Sequence, residues 1–293
     1  MTRVIAVFGP TASGKTAAAV ELAAALGAEI VNCDAMQLYG GLPVLTNQPS
    51  PEQRAEVPHH LVGVWALDHE GSVAEYGGLA RAAIADIRSR GRDAVVVGGS
   101  GLYLRAALAP LDVPPQPRPG DRERFERLYD RSGSEAAHAL LTSRDPAAAT
   151  AVHPNDRRRV VRALELAEMG ASLAPGASQL WSDPPGDTLI LGLDVPADEV
   201  RRRIAERTRR MFAGGVEDEV RQALRGSLSM TAARIHGLQD VAALLGGEID
   251  RTEAIRRLEV RTRQYAKRQR VWMRRLPGLR RVAPERILDA VPG

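Results

Sequence analysis

The stretch Val4-Ile5-Ala6-Val7-Phe8-Gly9-Pro10-Thr11-Ala12-Ser13-Gly14-Lys15-Thr16 decides the fold of this 293-residue chain. Its five apolar residues predict a buried strand, and the alanine-rich segment from Thr16 to Leu26, closed by Gly27, predicts a helix. The loop between them, Gly9 to Thr16, matches the pattern G-x-x-x-x-G-K-[ST] in the strand-to-helix context that this motif requires. The sequence therefore predicts a P-loop at the start of an α/β domain.

This loop has the chemistry of a phosphate site. Glycines such as Gly9 and Gly14 let backbone N–H groups face phosphate oxygens, and the following helix adds partial positive charge at its N-terminus. The Lys15 ammonium suits an outer phosphate, and the Thr16 hydroxyl suits Mg²⁺. The motif predicts a bound di- or triphosphate without naming it, because any magnesium diphosphate presents oxygens similar to those of ATP.

Three further apolar segments predict strands, at Glu29–Asn32, Ala94–Val97 and Thr188–Val195. Uninterrupted apolar strands separated by helices indicate a parallel sheet with helices on both faces. Ligands of such sheets bind beyond the carboxyl ends of the strands, where Gly9, Asp34 and Gly98 lie in the sequence.

Two polar residues at these strand ends are candidates for chemistry. Asp34 could ligate Mg²⁺, act as a base, or only cap a turn. The third predicted strand ends in Gly98-Gly99-Ser100-Gly101 without an acid, which argues against an ordinary ATPase, and Ser100 offers a hydroxyl near the phosphates.

Two segments rich in proline, glycine and serine, near Pro110–Pro119 and Pro175–Gly186, predict hinges around an insertion. Helical spacing within the insertion predicts a small all-helical domain, with helices at Asp121–Arg131, Ser134–Leu141 and Asn155–Met169. The expected organisation is an α/β core at 1–118, a helical insertion at 119–186, and a continuation of the core at 187–293.

Charge is concentrated near the C-terminus. The net charge is only +4, yet residues 251–293 contain 13 basic and 4 acidic side chains, mostly on a long helix predicted from about Thr252 to Arg275. Such a block suits a polyanionic partner or a solvated helix face, and the same two interpretations apply to Arg157, Arg158, Arg159 and Arg162 at the start of a helix in the insertion.

The remaining composition excludes several classes of protein. Hydrophobic residues make up 44% of the chain, and no apolar run approaches the roughly 18 residues of a membrane span. The single cysteine, Cys33, cannot form an internal disulfide, and the scattered histidines give no protein-built metal cage. We therefore expect a cytoplasmic protein.

Several strings together resemble the bacterial tRNA dimethylallyltransferases, and they occur in order over nearly the whole chain. The matching strings are Gly-Pro-Thr-Ala-Ser-Gly-Lys-Thr at 9–16, Asp-Ala-Met-Gln-Leu-Tyr at 34–39, Val-Pro-His-His-Leu at 57–61, Val-Gly-Gly-Ser-Gly-Leu-Tyr at 97–103, His-Pro-Asn-Asp at 153–156, Arg-Ala-Leu-Glu at 162–165 and Thr-Arg-Gln-Tyr-Ala-Lys-Arg-Gln at 262–269.

The resemblance implies transfer of a dimethylallyl group from its diphosphate to N6 of adenosine 37, next to the anticodon of tRNA. The diphosphate leaving group then occupies the P-loop, Gly9 to Thr16, and Lys15 and Mg²⁺ meet its charge. Asp34 matches the catalytic carboxylate, and Ser100 stands where the family usually has threonine beside the reacting centre.

The same resemblance implies further contacts. Arg207 matches a diphosphate contact. The implied tRNA contacts are Asp34, Ala35, Met36, Gln37, Ser100, Arg122, Arg158, Arg159 and Arg162. The family does not imply a membrane partner, and we expect a monomer.

The chain departs from the family at three places outside these motifs. Asn47-Gln48 stand where a Gly-Thr-Ala-Lys string usually ends, Leu238 replaces the tyrosine of an Ile-Gly-Tyr-Lys-Glu string, and Val271 replaces a common threonine. These changes concern peripheral tRNA contacts. Two other hypotheses fit parts of the sequence, namely a small-molecule kinase with the insertion as its lid and a non-catalytic RNA-binding protein.

Overall fold

A six-stranded parallel sheet forms the centre of the molecule in the computed structural model. The structure describes residues 2–111, 118, 120–173, 182–183, 186 and 188–292. The strands, in chain order, are β1 Val4–Phe8, β2 Glu29–Asn32, β3 His59–His60, β4 Ala94–Gly98, β5 Thr188–Leu193 and β6 Leu279–Val282. Their order across the sheet is β3-β2-β4-β1-β5-β6, and every pairing is parallel.

Helices connect and cover these strands. In the first unit of the chain they are α1 Lys15–Leu26, α2 Pro43–Thr46, α3 Pro51–Glu56, α4 Val73–Ser89 and α5 Gly101–Leu108. After β5 the same unit continues with α9 Ala197–Ala213, α10 Val216–Ala223, α11 Leu238–Leu245 and α12 Arg251–Arg275. No helix among the described residues is long and apolar enough to cross a bilayer.

The insertion is a separate compact unit, spanning 112–179. Its helices are α6 Asp121–Arg144, α7 Pro146–Ala151 and α8 Arg157–Glu168. They enclose a small apolar core that includes Phe125, Leu141 and Leu164. The Asp156 side chain caps α8 by accepting a hydrogen bond from the Arg159 N–H at 3.2 Å.

The sheet explains why its strands have continuous apolar sequences. Every residue of β1 and β4 is buried, because helices pack on both faces of the sheet. The predicted fold class, a P-loop parallel sheet covered by helices with an inserted helical domain, is confirmed.

Two strands differ from the sequence expectations, whereas a predicted break in the insertion is present. The two-residue strand β3 and the polar edge strand β6 were not predicted, because neither has the buried apolar run of a central strand. The break predicted between the helices at Asp121–Arg131 and Ser134–Leu141 is present within α6, because Gly133 has a φ of 83° and a ψ of 167°, outside the helical region; the second helical part continues to Arg144.

Gly98, at the end of β4, lies against the chain that leaves β2. A Cβ at this position would lie 2.5 Å from the Cys33 carbonyl carbon and oxygen, and the Cys33 N–H donates to the Val97 carbonyl of β4 at 2.8 Å. We expect Gly98→Ala to lower the free energy of unfolding by about 1–3 kcal/mol, because the two strands must separate. Gly78→Ala, on the exposed face of α4 with open space around it, is the control and should not lower Tm in thermal unfolding. An unchanged Tm for Gly98→Ala would contradict the close packing.

Candidate active site

A cavity of about 450 Å³ lies beyond the carboxyl ends of the central strands. The P-loop borders it after β1, the segment from Asp34 to Gln37 borders it after β2, and Gly98 borders it at the end of β4. The helices α9 and α12 contribute further polar side chains. These include Arg203, Arg207, Arg210, Thr262 and Tyr265.

The P-loop has the backbone conformation of a phosphate site. Ala12 and Gly14 have φ values of 64° and 89°, and the Ser13 N–H donates to the Pro10 carbonyl at 3.2 Å. α1 begins immediately afterwards, so its N-terminal N–H groups and the Lys15 and Thr16 side chains stand at the cavity. The loop thus concentrates hydrogen-bond donors and positive charge at one end of the cavity.

The Lys15 side chain contacts the backbone of the P-loop. Its Nζ donates to the Pro10 carbonyl at 2.8 Å. Burial lowers the Lys15 pKa to about 8, the nearby Asp34 carboxylate acts in the opposite direction, and Arg207 lowers the pKa further. A charge that is poorly solvated at this position gains from an anion in the cavity.

Asp34 is oriented by its own turn. Its N–H donates to Asn32 Oδ1 at 2.9 Å, and its Oδ1 accepts from the Met36 N–H at 3.1 Å. The Asn32 amide also donates to the Leu61 carbonyl at 2.9 Å, which fixes the strand end itself. The second carboxylate oxygen of Asp34 accepts no hydrogen bond from a described residue, and the side chain lines the cavity.

Arg207, on α9, faces the same cavity as Lys15 and Asp34. Burial lowers the pKa of its guanidinium, and the Asp34 charge acts in the opposite direction. Its Nε is buried and has no hydrogen-bond partner among the described residues. A buried unpaired donor of this kind is costly unless a ligand accepts its hydrogen bond, so the side chain fits an anion.

Of the remaining predicted residues that follow β2 and β4, some line the cavity and others do not. Met36 and Gln37 line the cavity, and the Gln37 amide donates to the Asn47 carbonyl at 2.7 Å, which ties this segment to the end of α2. Ala35 and Ser100 are half-buried and lie outside the described cavity lining. Ser100 precedes α5 as its N-cap residue, and its side chain makes no capping hydrogen bond.

The insertion arginines divide into two groups. Arg122 and Arg162 both pair with the fully buried Glu165, at 2.9 Å and 3.0 Å, and Arg157 pairs with Asp130 at 2.8 Å. Acidic residues of the insertion therefore supply much of the negative charge that the start of α8 requires. Arg158 and Arg159 are exposed and form no ion pair with a described residue.

One part of the cavity lining was missed from the sequence. The spacing of Thr262, Tyr265 and Gln269 by three and four residues on α12 is typical of a packing face, and Thr262 and Gln269 are indeed buried. Thr262 and Tyr265 also border the cavity, together with His236, whose ring meets the Tyr265 ring edge-on at 4.7 Å. The string at 262–269 was the available signal, but a helical period does not show which packed residues face a cavity.

Two oxygen donors of the cavity could contribute to a metal site. No group of three or more histidine, cysteine, aspartate or glutamate side chains among the described residues could hold a metal. The Thr16 hydroxyl and the Asp34 carboxylate, both hard oxygen donors, line the same cavity. This donor set fits Mg²⁺ bound jointly by one or two protein oxygens and substrate phosphates, which is the usual mode for this ion.

Comparison with known proteins gives a consistent assignment. The family model described as IPP transferase matches residues 37–276, and the one described as isopentenyl transferase matches residues 2–58. The chain belongs to the IPP transferase family. It is 43% identical to the tRNA dimethylallyltransferase of Anaeromyxobacter dehalogenans (strain 2CP-1 / ATCC BAA-258), over 99% of this chain and 95% of that protein.

Two other relatives also match this chain over most of its length. The tRNA dimethylallyltransferase of Streptomyces coelicolor is 44% identical, over 94% of this chain and 88% of that protein. The crystal structure of the tRNA isopentenylpyrophosphate transferase from Bacillus halodurans matches with a TM-score of 0.71 and 31% identity, over 99% of this chain and 94% of that one. The resemblance stated from the motifs is thus confirmed over nearly the full length.

Proposed function

We propose that this protein transfers a dimethylallyl group from dimethylallyl diphosphate to N6 of adenosine 37 of tRNA, giving N6-(dimethylallyl)adenosine and diphosphate. One observation supports this function most directly. One cavity is lined by the P-loop with Lys15, by Arg207 with its unpaired buried Nε, and by the oriented carboxylate of Asp34. That arrangement suits a reaction that needs both a site for a diphosphate leaving group and a proton acceptor.

The leaving-group end is built to stabilise developing negative charge. As the bond between the allylic carbon and the diphosphate oxygen breaks, charge grows on that oxygen. The Lys15 ammonium, the Arg207 guanidinium and the P-loop N–H groups meet this charge with donors that are already in place. Mg²⁺ held by Thr16 and the diphosphate would supply additional positive charge there.

Attack by the amino group of adenine requires a base. The amino group of adenine is a weak nucleophile because its lone pair is delocalised into the ring. Asp34 accepts one N6 proton as N6 forms its bond to the allylic carbon, so the product amine is neutral. The turn from Asn32 to Met36 fixes the carboxylate before substrate arrives.

The target base must leave its stack in the anticodon loop to reach a cavity of this kind, which costs a few kcal/mol. We propose that phosphate contacts from the insertion and from the basic C-terminal segment supply the compensating binding energy. Because tRNA is the substrate, we further propose a cytoplasmic location, and the monomeric state stays a prediction.

The decisive experiment compares two diphosphate-containing ligands. We expect radiolabel from dimethylallyl diphosphate to enter an anticodon stem-loop with adenosine at position 37, and no label to enter one with guanosine there. Labelled ATP should transfer no phosphate to either RNA. Phosphate transfer from ATP without prenyl transfer would instead support a kinase.

Exposed arginines of the insertion should affect RNA affinity without affecting chemistry. We expect the double substitution Arg158→Glu and Arg159→Glu to weaken stem-loop binding by about tenfold or more at low salt, with a shallower dependence of affinity on salt. The control is Arg201→Glu together with Arg202→Glu on α9, whose side chains are already paired with acids of that helix. Filter binding at several salt concentrations measures both. Equal salt slopes for the wild type and the insertion variant would contradict the assignment.

A further inference from the structure

Gln269 is a buried polar side chain that connects three distant parts of the core. It lies on α12 and is 2% exposed. Its Oε1 accepts a hydrogen bond from the Thr11 N–H at 2.6 Å, and its Nε2 donates to the Gly99 carbonyl at 2.9 Å. Thr11 belongs to the P-loop and Gly99 to the turn between β4 and α5, so one amide joins the two loops.

The two hydrogen bonds require an amide group. The Thr11 N–H needs an acceptor and the Gly99 carbonyl needs a donor, and a glutamine side chain provides one of each. Each of these buried backbone groups would otherwise lack a described partner at this position, which is unfavourable. The Thr11 N–H is consequently engaged by Gln269, so phosphate binding falls to the later N–H groups of the P-loop.

The packing around the Gln269 amide leaves no space for a side chain at Gly99. A Cβ at Gly99 would lie 2.0 Å from Gln269 Nε2 and 2.9 Å from the Gly9 carbonyl oxygen. The absence of a side chain at Gly99 therefore allows the amide to enter between the loops. Tyr265, one turn earlier on α12, lines the cavity.

We propose that Gln269 is a positioning residue that fixes the separation between the P-loop and the turn carrying Gly99 and Ser100. This inference rests on the proposed function, because it takes the first loop as the leaving-group site and the second loop, which follows the cavity-lining Gly98, as a wall of the same site. Diphosphate departure and attack by N6 need the two loops in register, and a displacement of about 1 Å can cost a reaction about 100-fold. Gln269 sets this register from α12 without touching substrate.

The test is Gln269→Met, which keeps the side-chain size and is neutral but makes neither hydrogen bond. We expect the single-turnover rate of dimethylallyl transfer to fall about 10-fold to 100-fold. The stem-loop Kd and the KM for dimethylallyl diphosphate should change by less than about threefold, because the groups that contact these substrates remain. A purely structural role would instead lower Tm and leave the rate of the folded fraction unchanged.

The matched control is Met273→Ala, one turn further along α12. Met273 is buried in the apolar core, and its side chain has no hydrogen-bonding group comparable to the Gln269 amide. We expect this variant to lower Tm while the single-turnover rate stays at the wild-type value. If it slows transfer as much as Gln269→Met does, the proposal is overturned.

A second variant, at Gly99, tests the same contact between the Gln269 amide and the turn after β4. Gly99→Ala should displace the Gln269 amide and slow transfer to a similar degree, whereas Gly78→Ala should not. The double variant Gln269→Met with Gly99→Ala should be no slower than the slower single variant, because both changes break one connection. Multiplicative losses would overturn the proposal. A wild-type protein that transfers no dimethylallyl group would contradict the proposed function instead, and that control is measured first.

Discussion

Asp34→Asn is expected to reduce the single-turnover rate of dimethylallyl transfer by about 10²-fold to 10⁴-fold, which is the range for loss of a general base. The substitution is well suited to the question because an asparagine oxygen can still accept the Met36 N–H hydrogen bond that shapes this turn. The lost property is the ability to take a proton from N6. Stem-loop affinity should therefore stay near the wild-type value.

The control for this prediction is Asp198→Asn, an exposed carboxylate in the first turn of α9 that lies outside the cavity lining. It removes the same charge from the protein and should leave the transfer rate unchanged. Rapid-quench measurement with saturating stem-loop separates chemistry from product release. Wild-type rates in the Asp34 variant would refute its assignment as the base.

Lys15→Ala is expected to produce the second large effect. Removing one preorganised cation from the leaving-group site should slow transfer by about 10²-fold to 10³-fold, by comparison with the loss of a single oxyanion donor. Affinity for inorganic diphosphate should fall as well, because this ammonium interacts with the bound anion and not only with the transition state. Calorimetry with inorganic diphosphate measures the binding, and rapid quench measures the rate.

Lys267→Ala is the matched control for that experiment. Lys267 is the chain's other lysine, and it is exposed on α12. Its removal changes the net charge equally but should leave affinity for inorganic diphosphate unchanged. Equal loss of diphosphate affinity in both variants would show that net charge, rather than the P-loop position, controls binding.

The low pKa of Lys15 predicts a pH dependence with a definite sign. The buried amine has a pKa of about 8 in the free protein, so it is an ammonium below that pH and neutral above it. We therefore expect kcat/KM for dimethylallyl diphosphate to decline as pH rises through about 8. Bound diphosphate stabilises the ammonium, so kcat should decline at a higher pH. A kcat/KM profile that is flat from pH 7 to 9 would contradict this interpretation.

Much of the core could be predicted because its signals are local. β1 and β4 are apolar throughout since both faces are covered, and Gly27 closes α1 in the left-handed conformation that the sequence indicated. β3 was not predicted, because its two histidines are too few to show the alternation of apolar and polar residues that is typical of a strand. The edge strand β6 was missed because its middle residues, Arg280 and Arg281, are exposed.

The insertion shows the same limit for charged residues. The arginines at the start of α8 indicated a nearby anion, and part of that anion is Glu165, which is buried and paired with Arg122 and Arg162. Sequence alone does not distinguish an arginine held by a buried acid from one available to RNA. Only Arg158 and Arg159 of the predicted group remain exposed without an ion pair to a described residue.

Residues adjacent in the chain were enough to predict the P-loop, the strand that leads into it and the position of Lys15 and Thr16 at the start of α1. Each of these depends on residues adjacent in the chain, whose backbone conformation and spacing are set by local sterics and hydrogen bonding. Only the tertiary structure placed Arg207 beside Asp34 and inserted Gln269 between Thr11 and Gly99, across separations of 258 and 170 residues. Burial of the α12 face decided those contacts, and burial depends on the whole fold rather than on any one segment.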